Sequence, residues 1–456
     1  MKTQKDFAFE QSGTDADLLA RVFEKSDQVL VKKLSNNDRD WARFSNKHQA
    51  GVYIPHEQRD GGFFPDLAAK HRSDAAADEI REAYFSTTWP QADNEEKQSR
   101  LVHYTSKGQE THMTRLPKEV FADLLPASFL IMGRVSSGTA YKYECLTIDS
   151  GNDEATLVAE LFGLDAGFLV GVFEPAERKA KERDRILDFA EKVIAAWQKG
   201  AIAAFAESNA AMPSTTELAK QAHDAFLAKY GLRKTDPFTL ETPGDALREI
   251  SRSIEWDLFR DYQRRERAVE IVRLILGDAP RPVTAPDIIR KLIDELPAID
   301  ALMLSASQQR KSRAGYSYEH HIEAMLSGGD IPYEKQVVIE ARKRPDFILP
   351  SLAFIDSGAT DANTGLILSA KTTLRERWKQ VEREMGKRRL FLTTVDENIA
   401  SNAIEDMASF GVHLVIPESL RESKATEYRD HKNVVSFKEF CSEFVRPYLS
   451  VWSAHV

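Results

Sequence analysis

At 456 residues the chain exceeds what one ordinary core encloses, so two domains joined by a connector are expected. Hydrophobic residues make up 42% and charged residues 29%, a globular composition, and the net charge of −9 speaks against a passive nucleic-acid coat without excluding an enzyme that meets DNA through a local basic surface. Cys145 and Cys441, the two cysteines, exclude a disulfide framework and an all-cysteine zinc site, and point to a reducing compartment. The opening MKTQKDFAFEQSGTD lacks a signal-peptide core and no run of 18 apolar residues occurs, so a cytoplasmic protein with no membrane partner is expected.

From about 25 to 175 the pattern is mostly β, in short apolar runs such as AGVYIP, SFLIMGRV, YKYECLTI and GFLVGVFEP, interrupted by one helical segment, DEATLVAELFGL. Helical periodicity then takes over: Ile186, Ala190, Val193, Ile194 and Trp197 fall on one helix face. NAAMPSTTE and RKTDPFTLETPGD read as linkers because Pro, Thr, Gly and Asp cluster there. This gives residues 1–175 as a first domain, 176–240 as a helical connector and 241–456 as a second domain. The last opens on the long helical run ALREISRSIEWDLFRDYQRRERAVEIVRLIL. From about 333 it alternates strands and helices, through KQVVIEARKRPDFILPS, TGLILSAKTT, RRLFLTTV and GVHLVIPESL, which predicts an α/β fold with a mixed central sheet covered on both faces.

Metal-assisted phosphodiester hydrolysis needs carboxylates to hold Mg²⁺ at the scissile phosphate and a cation near the attacking water. RPDFILP places Asp346 at the head of one strand and LILSAK places Lys371 at the end of the next, a spacing that suits a strand, a loop and a return strand. The PD-(D/E)XK nuclease pattern asks for a carboxylate two residues before the lysine, where this chain has Ser369. Glu384 lies eleven residues beyond Thr373, and eleven steps of about 100° bring a helix back to nearly the same face, so it could supply the missing acid. On spacing alone, one more exposed glutamate is the favoured reading of Glu384. His320, His321 and Glu323 in EHHIE suggest zinc at first sight, but no further ligand stands at the required spacing, and surface helix residues are the simpler reading.

SQQRKSRAGYSYEHHIEAML, KRPDFILPS, SAKTTLRERWKQVEREM and GVHLVIPESL, in this order, resemble the catalytic domain of the EcoRII restriction endonuclease family over roughly residues 245–450. That family carries the second acid on the helix instead of the strand. The resemblance implies Asp346 as metal-binding aspartate, Lys371 as catalytic lysine, Glu384 as the relocated carboxylate and Glu319 as the upstream helical acid, with Glu323 one turn later as the alternative to Glu319. It implies that Arg375, Glu376 and Arg377 read the CC/GG part of a DNA site. The chemistry suits that role, since arginine pairs with guanine O6 and N7 while glutamate accepts from cytosine N4. RKSR, with Arg310, Lys311 and Arg313, would hold phosphates.

The amino-terminal segments SNNDRDWARFSNKHQAGVYIP and NEEKQSRLVHYTSKG resemble the family's effector domain, a B3-like β-pseudobarrel, and place Arg43, Lys47, His48, Lys97 and Arg100 near a second copy of the DNA site. The expected protein is a Mg²⁺-dependent type II restriction endonuclease, a homodimer on double-stranded DNA, restrained by its amino-terminal domain and paired in function with a cognate DNA methyltransferase. A non-cleaving, sequence-specific DNA-binding regulator built from the same parts is the alternative.

Overall fold

The computed structural model describes residues 14–44, 51–70, 80–137, 140–336, 344–357, 364–374 and 389–454. The chain divides into two compact units, Met1–Lys179 and Ala180–Val456. The division falls within the helix Pro175–Gln198.

The first unit is built on one sheet of β1 (Gln28–Lys33), β2 (Val52–Tyr53), β3 (Ala68–Ala69), β4 (Ile80–Trp89), β5 (Glu95–Tyr104), β6 (Thr111–Thr114), β7 (Phe129–Ser137), β8 (Ala140–Ile148) and β9 (Val170–Phe173). Their order is β2-β6-β5-β4-β8-β7-β1-β9, with β3 added on β4. Every strand from β2 to β1 along that path sends a side chain into one apolar cluster, among them Val52, Met113, Leu101, Phe85, Cys145, Met132 and Leu30. Strands so far apart in the sheet share one core only if the sheet curls, and a curled, mostly β pseudobarrel is the result. Alternate residues of β1, β7 and β8, such as Val29, Val31, Ile131 and Leu146, point the other way. They pack under the helices Asp15–Lys25 and Asp153–Phe162 through Leu19, Val22, Val158 and Phe162.

The second unit holds a six-stranded sheet of β10 (Glu334–Lys335), β11 (Phe347–Leu349), β12 (Leu366–Ala370), β13 (Arg389–Thr393), β14 (Val412–Ile416) and β15 (Val434–Ser436), in that spatial order. β10, β11 and β12 pair antiparallel; β12 through β15 pair parallel. The central strands read as near-continuous apolar runs because both faces are covered. Leu366, Leu368, Ala370, Phe391 and Val415 face a cluster with Tyr318, Ile322, Met325 and Leu326 of the helix Leu296–Gly328. Ile367, Leu390, Leu392 and Leu414 face Ile404 and Met407 of the helix Ser401–Ser409. At about 1.5–3 kcal/mol for each fully buried aliphatic side chain, these two layers hold the strand ends in fixed relation.

Within the stretch 176–240, the helix Thr215–Tyr230 sends Ala222 and Phe226 into the same core as Phe347 and Leu368. The apolar face of the helix Pro175–Gln198 closes only near its end. Val193 and Trp197 are buried against Ile202, Ala210 and Val269, whereas Ile186 and Ile194 stay exposed.

Candidate active site

The strand directions bring the chemistry together. β11 runs antiparallel to β12, with Phe347 opposite Leu368, so the residue entering β11 meets the residue leaving β12 at one edge. These residues are Asp346 and Lys371. Side chains of positions 346, 369 and 371 fall on the same face by alternation. Lys371 Nζ donates to Asp346 Oδ2 at 2.8 Å, and the Ala370 amide donates to the same oxygen at 2.7 Å. Asp346 is buried, whereas the Lys371 side chain keeps 29% of its surface, so the ammonium is reachable from outside. The Lys371 amide donates to the Thr393 carbonyl at 3.0 Å and closes the end of β12 onto β13. Ser369, where the simple motif asks for an acid, is buried at 1% exposure.

Glu319 and Glu323 both lie on the helix Leu296–Gly328, one turn apart, and their surroundings separate them. Glu323 accepts from Lys335 Nζ at 2.5 Å and from the Tyr333 hydroxyl at 3.4 Å. Burial works to raise its pKa, yet Lys335 and then His320 outweigh it and hold Glu323 below the ordinary carboxylate range. Glu319 takes one long bond from Gln336 Nε2 at 3.3 Å. Burial, followed by the charge of Asp346, pushes Glu319 above the ordinary range, against the pull of Gln336, Lys371 and Lys335. The acid that senses Asp346 and Lys371 is therefore Glu319.

Against known proteins, residues 280–441 match the family model described as EcoRII C terminal. This part of the chain is EcoRII-like. Over 138 residues it is 35% identical to the type II restriction enzyme EcoRII of Escherichia coli, covering 30% of this chain and 34% of that protein. The chain thus spans about a third of EcoRII's length. It is 26% identical over 219 residues to the type II restriction enzyme SsoII of Shigella sonnei, covering 45% of this chain and 70% of that one. Among solved structures, metal-depleted Ecl18kI in complex with uncleaved, modified DNA is 22% identical with a TM-score of 0.45, covering 58% of this chain and 85% of that one.

The donor set of the EcoRII-like stretch fits a hard divalent cation. Asp346 and Glu319 offer carboxylate oxygen; burial first and then the Asp346 charge raise Glu319, and a bound cation would offset both. Among the described residues no group of three or more His, Cys, Asp and Glu gathers as a metal site; Mg²⁺ needs only one or two carboxylates beside phosphate and water. His321 of EHHIE is not a surface residue as expected: it is buried on Glu255, while His320 meets Thr216 Oγ1 at 3.2 Å.

Glu384, Arg375, Glu376 and Arg377 lie outside the described residues, as do Lys47 and His48. Arg310, Lys311 and Arg313 fall on the helix Leu296–Gly328, with side chains outside the description. Arg43 ends the helix Asn36–Arg43 and its Nε donates to the Ala122 carbonyl at 2.6 Å. Lys97 pairs with Glu95 at 2.8 Å, and Arg100 pairs with Glu82 at 2.6 Å. Lys97 and Arg100 are three apart on β5, which puts them on opposite faces of the strand, so they do not form one patch. Among the described residues no helix is long and apolar enough to cross a membrane.

Sequence reasoning missed Arg252 and Asp396. Arg252 Nη2 donates to the Thr372 carbonyl at 3.2 Å, and Asp396 Oδ2 accepts the Leu374 amide at 2.8 Å. The available signal for Asp396 was an acid directly after RRLFLTTV, at the same edge as Lys371 because β12 and β13 are parallel.

Proposed function

We propose that the chain is a type II restriction endonuclease that hydrolyses double-stranded DNA with Mg²⁺ at a near-palindromic site containing CC and GG. The observation that carries this reading is Lys371 on Asp346 at 2.8 Å, at the converging ends of β11 and β12, within the EcoRII-like stretch. Asp346 and Glu319, with Glu384, would hold the ion; when bound it supplies positive charge to the phosphate and makes water more acidic. Lys371 orients Asp346 and turns its remaining N–H donors to the attacking water and the charge growing on phosphorus. The water oxygen bonds to phosphorus, the P–O3′ bond breaks, and the departing oxygen is protonated, leaving 5′-phosphate and 3′-hydroxyl ends. Arg375, Glu376 and Arg377 would read the C·G pairs four to six residues beyond the lysine.

Cutting both strands of a two-fold site calls for a homodimer. The pseudobarrel would act as an effector domain for a second DNA site, and a cognate methyltransferase would protect host DNA. Plasmid DNA incubated with the full chain, with and without Mg²⁺, tests the reading: discrete fragments are expected with Mg²⁺ alone and none from Lys371→Ala. Tight, sequence-specific binding by the wild type without cutting would favour the regulator instead.

A further inference from the structure

Three residues, Thr372, Thr373 and Leu374, separate Lys371 from the segment that begins at Arg375, and the core grips this bridge from below. The Lys371 amide is tied to Thr393, and the Thr372 carbonyl accepts from Arg252. The Leu374 amide donates to Asp396 Oδ2 at 2.8 Å, while its side chain is fully buried beside Ile367 and Leu392. Asp396 is 3% exposed and is itself built in. Its amide donates to Thr394 Oγ1 at 3.1 Å, its Oδ1 accepts the Asn398 amide at 3.3 Å, and its carbonyl accepts the Tyr428 hydroxyl at 2.5 Å. Burial pushes the carboxyl above its ordinary range, with Arg252 and the backbone amides opposing. An interior carboxylate is costly, and one irregular amide could have been satisfied by water at the surface. The fold instead spends its most buried acid beyond β13 on the exit from Lys371.

We infer that Asp396 is a positioning residue: by holding the Leu374 amide it fixes the 371–374 bridge and, through it, the ammonium of Lys371 against Asp346. The inference rests on the nuclease reading for its catalytic consequence, but the tether itself has an independent readout. Freedom at the far end of the segment 371–374 moves the lysine relative to the carboxylate, and displacements of about 1 Å at a reacting group cost on the order of 10²-fold in rate.

The experiment compares the full-length wild type with Asp396→Ala, Asp396→Asn and, as a core truncation on the same sheet face, Met407→Ala. Amide exchange of a peptide containing Leu374 is measured in each, followed by single-turnover cutting and affinity on a DNA fragment that the wild type cuts. Slow exchange is expected in the wild type and in Asp396→Asn, whose side-chain carbonyl still accepts the Leu374 amide, and exchange faster by about 10-fold or more in Asp396→Ala. Cutting should fall on the order of 10²-fold in Asp396→Ala with affinity held within about 2-fold, recover in Asp396→Asn and persist in Met407→Ala. Unchanged exchange in Asp396→Ala overturns the tether; faster exchange with unchanged cutting overturns the positioning role, as does equal loss in Met407→Ala. A wild type that cuts nothing removes the nuclease reading, and exchange alone then decides whether Asp396 holds the bridge.

Discussion

Removing the Lys371 charge should cost more stability than removing the Asp346 charge. At 2.8 Å, two unit charges attract by ~6 kcal/mol at an effective dielectric of about 20. Desolvation offsets most of that, and side-chain exposures of 29% for Lys371 and 11% for Asp346 put the pair between a surface bridge, worth about 0–1 kcal/mol, and a buried one, whose breaking costs about 3–5 kcal/mol. Lys371→Met strands a buried carboxylate that still has the Ala370 amide, and should cost about 2–3 kcal/mol. Asp346→Asn leaves an ammonium that can turn to solvent and also relieves Glu319 of a neighbouring charge, so about 1 kcal/mol or less is expected. The double variant should lose less than the sum by about 1–2 kcal/mol. Calorimetry of the four proteins near neutral pH without divalent ions closes the cycle. A coupling below about 0.5 kcal/mol would refute the pairing, and equal costs for the two single variants would refute the burial argument.

Glu319→Gln should raise the thermal midpoint at neutral pH in the absence of metal while abolishing Mg²⁺-dependent cutting. The sign follows from a folded-state pKa raised above the unfolded one: the destabilisation is absent below the ordinary carboxylate range and grows as pH rises through the folded pKa. The advantage of the variant should therefore shrink on acidification, and a gap independent of pH would remove the cause assigned to it. Mg²⁺ should stabilise the wild type more than Glu319→Gln in the same melts. Arg375→Ala should lose about 1–3 kcal/mol of discrimination at one C·G pair, read from end sequences of digested DNA. Residues 180–456, which retain the core residues Ala222 and Phe226, should cut single-site DNA at least as well as the full chain. A folded but inert fragment would refute restraint by the amino-terminal unit.

What was legible in the sequence follows from which interactions are local. Asp346 and Lys371 stand at strand ends, and apolar runs on either side reveal both strands, so their convergence needed only the strand directions, antiparallel for β11 with β12. The choice between Glu319 and Glu323 was not legible, because residues one helical turn apart share a face. Their surroundings differ through Lys335 and Tyr333, which reach Glu323 from another segment. Lys97 and Arg100, both placed near DNA by the resemblance, fall on opposite faces of β5 by period-two alternation. The helix Thr215–Tyr230 looked like connector because prolines flank it, although its Ala222 and Phe226 close the core beneath the sheet. Asp396 shows most clearly where local pattern ends. As a sequence feature it is one acid after a strand; its function depends on parallel pairing of β12 with β13, which aligns the two exits. That pairing brings the tether on Leu374 to the edge where β11 and β12 join Asp346 to Lys371, so a shift of β13 against β12 by one residue would part Asp396 from Leu374. The apolar layers on both faces, which say nothing of chemistry by themselves, are therefore what sets the geometry of the candidate site.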